Sequence, residues 1–275
     1  MGTRIISGII GIALATIVIQ MGGAVFSAFV LILAIIGWRE YNSAFKNMNI
    51  ALEQTCGALT IFALWAVATQ SRAEYLFPIA LLGILAVFSK TVFCHRTFSV
   101  QQACYTVAGL VYVGFTFVHL RLLRAFGAGV MVNSPVGPME LGCGLIWITL
   151  IGTWSSDTFA YFSGYFFGKH KLCSAVSPKK TIEGFIGGVL GTVATVTAAG
   201  VSIGFPAHCM AILGLLLALA ATLGDLVESA IKRYTGIKDS GNLIPGHGGV
   251  LDRFDSVMFT APFVYYYMKI FLASM

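Results

Sequence analysis

Nine apolar stretches take up most of this chain, near residues 5–20, 24–37, 51–69, 75–93, 101–120, 141–167, 182–203, 207–231 and 254–272. A bilayer crossing needs about 20 mostly apolar residues. In lipid the backbone must satisfy its own hydrogen bonds, which helices do. The expected fold class is therefore all-α, a polytopic membrane helix bundle of about nine transmembrane helices. The first two stretches are short for a crossing and also read as one broken helix, with Gly22 and Gly23 as the break. Composition supports lipid as the solvent: 57% of the residues are hydrophobic and 10% are charged, where a soluble domain carries about 25% charge. A net charge of +6 in such a chain is no sign of nucleic-acid binding. It sets membrane orientation and attracts anionic lipid or phosphate. The six cysteines, at 56, 94, 104, 143, 173 and 209, form no metal-ligand spacing and read as buried, reduced thiols. One Arg and an apolar run open the chain without a small-residue cleavage site, so the first span reads as retained.

The basic residues give an independent test of the division into spans. With nine crossings, 13 of the 17 Lys and Arg fall on the same side as the N-terminus; only Arg72, Arg121, Arg124 and Lys269 fall on the other. The positive-inside rule makes the richer side cytoplasmic. The expectation is an N-terminus inside, a C-terminus outside, and two long polar loops, 168–181 and 232–253, in the cytoplasm.

Ionisable residues at membrane depth are costly and point to function. Asp157 lies in the sixth stretch, and Asp225 and Glu228 lie in the eighth. Asp225, Glu228 and Ser229 share a helix face, since i, i+3 and i+4 are neighbours there. The segment that follows is dense in polar groups: Lys232-Arg233, Lys238-Asp239, then Pro245-Gly246-His247-Gly248-Gly249, then Asp252-Arg253-Phe254-Asp255. Glycines around His247 let backbone N–H groups approach a ligand. Asp252 and Asp255, at i and i+3 near the start of the ninth helix, join Asp225 as hard oxygen donors suited to Mg²⁺ or another divalent cation, with a second metal ion allowed. Upstream, Lys169 and Lys171 precede Ser177-Pro178-Lys179-Lys180-Thr181. Ser177 and Pro178 are expected to start a helix with the lysines in its first turn, an anion site. Lys169 and Lys171 also read as ordinary orientation charge.

The run from Ser229 to Asp255 resembles the signature of the CDP-diacylglycerol synthases, or phosphatidate cytidylyltransferases: S-x-x-K-R-x4-K-D, a hydrophobic-Pro pair, H-G-G, then D-R-x-D. The resemblance extends to Gly224-Asp225-Leu226-x-Glu228-Ser229 and to Asp157 through Gly188, with F-G-K-H-K, S-P-x-K-T and E-G. It departs at Phe159, where the family pattern has a small residue, and this weakens the case for Asp157. The resemblance implies transfer of a cytidylyl group from CTP to phosphatidate. It assigns metal to Asp225, Asp252 and Asp255. It turns Lys232, Arg233 and Lys238 toward phosphates, places His247 beside them, and includes Asp239 and Arg253 in the catalytic signature. It implies substrate contacts at Asp157, Lys169, Lys171, Ser177, Lys179, Lys180, Thr181, Glu228, Ser229, Gly248 and Gly249. The chain then divides into N-terminal membrane helices, 1–140 with about five spans, and a catalytic membrane region, 141–275 with about four spans. The implied partners are CTP, phosphatidate and the bilayer, with no nucleic acid and with a homo-oligomer compatible. The compact length leads to the expectation of a bacterial plasma membrane. The alternatives are a CTP-dependent lipid-alcohol kinase, which would move the γ-phosphate instead, and a membrane transporter.

Overall fold

The computed structural model describes residues 2–70, 72–243, 246 and 248–273. The chain is nearly all-α. Its helices are α1 (Gly2–Met21), α2 (Gly23–Lys46), α3 (Gln54–Thr69), α4 (Leu76–Phe93), α5 (Val100–Gly109), α6 (Thr116–Arg124), α7 (Leu141–Phe167), α8 (Ile182–Ser202), α9 (Ala207–Thr235) and α10 (Leu251–Ala273). A π-helical turn, Leu110–Phe115, joins α5 to α6. Two short antiparallel hairpins interrupt the helices: β1 (Met131–Ser134) with β2 (Gly137–Glu140), and β3 (Lys171–Cys173) with β4 (Ser177–Thr181).

The helices follow the apolar stretches of the sequence. Among the described residues, five segments are long and apolar enough to cross a membrane by length and composition: Gly23–Lys46, Ala73–Phe93, Val100–Arg124, Ile182–Ser202 and Ala207–Thr235. On α4, Phe77, Val92 and Phe93 are 73%, 70% and 84% exposed. Such surface is stable only against lipid or a partner, and the protein is an integral membrane protein. The break between α1 and α2 lies at Gly22 and Gly23, both with positive φ (59° and 48°), a conformation that side chains resist.

The residues form two compact units, one of Met1–Leu122 with Lys232–Phe254, the other of Leu123–Ile231 with Asp255–Met275. In the first unit α2 runs past residue 37, where the apolar stretch that predicts it ends, to Lys46. Trp38, Tyr41 and Phe45 are all buried, at the i, i+3, i+7 spacing of one helix face, and this carries the helix through the polar run Arg39-Glu40-Tyr41-Asn42. In the second unit the central pair is α7 against α8, and small residues let the two backbones come close. A Cβ added to Gly187 would lie 1.9 Å from Ser163 Oγ, and one on Gly191 would lie 2.2 Å from the Phe159 ring. The large residue at 159 is therefore accommodated by a glycine on the facing helix.

Candidate active site

In the second unit, Asp157, Lys179, Lys180, Thr181 and Asp225, all singled out from the sequence, line one cavity of about 660 Å³ together with Tyr161 and Tyr165. Five elements line it, β3 contributing Leu172. Helix α7 supplies Asp157 and the two tyrosines, β4 supplies the lysines, α8 begins at its edge, and α9 supplies Asp225. One expectation is corrected here: no helix starts at Ser177. Residues 177–181 form β4, with Cys173 opposite Ser177 and Lys171 opposite Thr181. The helix begins at Ile182 with Thr181 as its N-cap, the Thr181 hydroxyl accepting from the Gly184 amide at 3.1 Å. Pairing with β3 leaves Ser177-Pro178 inside a strand, so Lys179 and Lys180 reach the site from a hairpin that leads into the helix N-terminus. Glu183 fastens the base of the hairpin. It accepts from the Lys169 amide at 3.0 Å and the His170 amide at 3.2 Å, and pairs with His170 Nδ1 at 2.6 Å.

The cavity holds a charge pair. Lys180 Nζ lies 2.6 Å from Asp225 Oδ2, and Ser229 Oγ lies 3.3 Å from Asp225 Oδ1. The i, i+4 face predicted for α9 is thus present. Gly224, just before Asp225, packs on α10, where an added Cβ would lie 2.5 Å from the Asp255 carbonyl oxygen. Asp255 Oδ1 accepts from the Ser256 amide at 2.6 Å. Glu228 is buried. Lys169 and Lys171 are exposed and are not among the residues that line the cavity.

In the first unit, Asp252 gathers Lys232 and Gly249 of the signature, together with Ser240. Lys232 Nζ donates to its Oδ1 at 2.9 Å. The Ser240 amide, the Ser240 hydroxyl and the Gly249 amide all donate to its Oδ2 at 2.8 Å. Arg233, Lys238, Asp239 and Arg253 are exposed. Gly248 takes a positive φ of 84° and the turn it makes places the Gly249 amide on Asp252. His247 lies outside the described residues. Glu40 and Ser240, absent from the sequence expectations, enter here: Glu40 accepts from Val250 N and Leu251 N at 2.9 Å each, and from Ser240 Oγ at 3.3 Å. The sequence signal that leads to Glu40 is the Trp38, Tyr41, Phe45 face, which keeps an acidic residue in a helix rather than in a loop.

Residues 2–271 match the profile of the Cytidylyltransferase family. The chain belongs to that family. Among its relatives, the phosphatidate cytidylyltransferase of Synechocystis is 36% identical over 288 residues, covering 98% of this chain and 97% of the relative. The Staphylococcus haemolyticus enzyme of the same name is 34% identical over 270 residues, covering 95% and 96%. That of Bacillus subtilis is 29% identical over 280 residues, covering 98% of each. Family membership spans the first 140 residues as well as the motif-rich end, so the N-terminal helices of this cytidylyltransferase are part of the shared unit.

Proposed function

We propose that the chain is a phosphatidate cytidylyltransferase, forming CDP-diacylglycerol and pyrophosphate from CTP and phosphatidate. The observation that carries this reading is the full-length similarity to relatives of that name, joined to a cavity in which lysines and a carboxylate meet. It is favoured over the lipid-alcohol kinase and transport alternatives because the similarity covers both ends of the chain and the whole signature.

The chemistry asks little covalent work of the protein. A phosphatidate oxygen attacks the α-phosphorus of CTP, the bond from that phosphorus to the bridging oxygen breaks, and pyrophosphate leaves with the electron pair. Phosphate monoesters are competent nucleophiles, so no Ser or Cys nucleophile is required. The protein must neutralise two polyanions and hold them in line. Lys179 and Lys180 are suited to phosphate oxygens, and a phosphate that draws Lys180 away from Asp225 frees that carboxylate. Among the described residues no three His, Cys, Asp or Glu side chains form a ready cage. A cation such as Mg²⁺ takes part of its shell from substrate phosphates and water, so the proposed holders need not form a complete cage by themselves. Asp225 and Asp252 each already hold a cation in the form of an ammonium group. With Asp255 they are the proposed holders, and the cation would supply charge neutralisation at the triphosphate.

The proposed topology has nine crossings, with loops 168–181 and 232–253 in the cytoplasm and the C-terminus outside, in a bacterial plasma membrane. In a cysteine-free background, an impermeant maleimide applied to intact cells should label Ser274→Cys and spare Ser177→Cys; the reverse pattern refutes the orientation. The reaction itself is tested with CTP labelled at the α or the γ position, purified protein, phosphatidate and Mg²⁺. The reading requires α-label in the lipid and γ-label in pyrophosphate. Lipid carrying γ-label identifies a kinase, and no labelled lipid under any metal condition refutes cytidylyl transfer.

A further inference from the structure

Glu40 is the least expected carboxylate of the molecule. It lies on the extended end of α2, is 8% exposed, and sits 210 residues before the first amide it accepts. Burying a carboxylate costs several kcal/mol unless its lone pairs are met. Here Oε1 accepts from Val250 N, and Oε2 accepts from Leu251 N and faces Ser240 Oγ. These amides open α10, and the first amides of a helix have no partner within it. Glu40 therefore acts as a cap supplied from a distant helix, and charge-assisted bonds of this kind are the strong ones. The surrounding backbone is cut to fit: a Cβ on either Gly241 or Gly249 would stand 2.5 Å from Glu40 Oε1.

The network runs from Glu40 to Asp252. Three successive amides are divided between the two carboxylates, Gly249 to Asp252, Val250 and Leu251 to Glu40. Ser240 Oγ stands between them, 3.3 Å from Glu40 Oε2 and 2.8 Å from Asp252 Oδ2. Its single hydrogen serves one of them at a time. Asp252 in turn holds the Lys232 ammonium. We infer that Glu40 is a positioning residue for the cytidylyl transfer proposed above: it fixes the turn 249–251, and through it the aim of Asp252 and Lys232, without touching substrate. Small displacements of reacting groups cost about 100-fold in rate.

The test uses the full chain purified in detergent, with α-labelled CTP and phosphatidate, and expresses turnover per folded molecule from the thermal melt. Glu40→Gln keeps the shape but turns an acceptor into a donor facing donors. It is expected to lower kcat at least about 30-fold while KM for CTP and for phosphatidate stay within about threefold. Glu40→Asp keeps both acceptors on a shorter stem and should recover part of the loss. A residue that only supports the fold would lower the folded fraction and leave turnover per folded molecule alone. That result, or a loss confined to KM, overturns the inference. So does an Asp variant no better than Gln. If Glu40→Gln does not fold, Ser240→Ala takes its place, removing only the bridging hydroxyl. A loss of about fivefold in kcat at unchanged KM supports the inference, and an unchanged kcat overturns it. Failure of the reaction assignment is separate, because it appears in the unsubstituted protein as lipid without α-label.

Discussion

Two aspartates of the same signature are held in opposite ways. Asp225, in the second unit, has a side chain 30% exposed, lines a cavity, and meets one ammonium and one hydroxyl. Asp252, in the first unit, has a side chain 5% exposed and receives an ammonium, two backbone amides and a hydroxyl. Under the proposed function, the first carboxylate would exchange its ammonium partner when a phosphate or cation arrives. The second is fixed before anything arrives. Residues grouped by sequence motif thus divide into a part that faces a cavity and a part whose geometry is set by the backbone.

The largest effect that sharpens this contrast is chelation. Activity should vanish with EDTA and return with Mg²⁺. The melting temperature should hardly move, because lysines already partner both carboxylates. A large fall in melting temperature on chelation would mean that a cation, rather than Lys180 and Lys232, holds them. Next are the substitutions Asp225→Asn and Asp252→Asn. Each is expected to lower kcat by about 100-fold, comparable to losing a main electrostatic element. They should differ in stability. The amide introduced by Asp252→Asn would turn an NH₂ toward donors, at about 1–3 kcal/mol, whereas the one introduced by Asp225→Asn faces a cavity. An Asp225→Asn protein that melts below Asp252→Asn breaks the comparison. Smaller again is the effect of Lys180→Gln, expected to raise KM for CTP or phosphatidate by about tenfold, roughly the worth of one charge-assisted hydrogen bond. Steady-state titration of each substrate identifies the ligand, and unchanged KM values would remove Lys180 from binding. The smallest effect separates strand from helix at the lysines. Thr181→Val should cost about 1 kcal/mol as a lost N-cap, and Ser177→Ala should be near neutral. Equal costs in thermal melts would return the helix start to Ser177.

Much of the fold was legible because apolar length is a local signal. The helices follow the apolar stretches, and the Gly22-Gly23 break was readable from the two adjacent glycines. What escaped depended on distant partners. Ser177-Pro178 looks like a helix start until Lys171–Cys173 pairs with it and makes a strand. The end of α2 was set at 37 because Arg39, Glu40 and Asn42 are polar, whereas Trp38, Tyr41 and Phe45 are buried and carry the helix on to Lys46. Phe159 reads as a departure until Gly191 is found beneath its ring. At the site, Asp225 and Lys180 were both marked, yet their ion pair required the tertiary fold. Glu40 was missed altogether, since nothing near it in sequence shows which amides it meets.

The Glu40 cap has a consequence for biosynthesis. Helix α2 leaves the ribosome 210 residues ahead of Val250, so the nascent chain carries a carboxylate whose proper donors have not yet been made. The opening turn of α10 closes a contact of very long sequence separation, the kind that forms late. The amino-terminal helices therefore serve as a mould against which the last motif sets. A fragment beginning at α7 would carry the cavity side chains of α7, β4 and α9 but would lack the template that shapes the turn before Asp252.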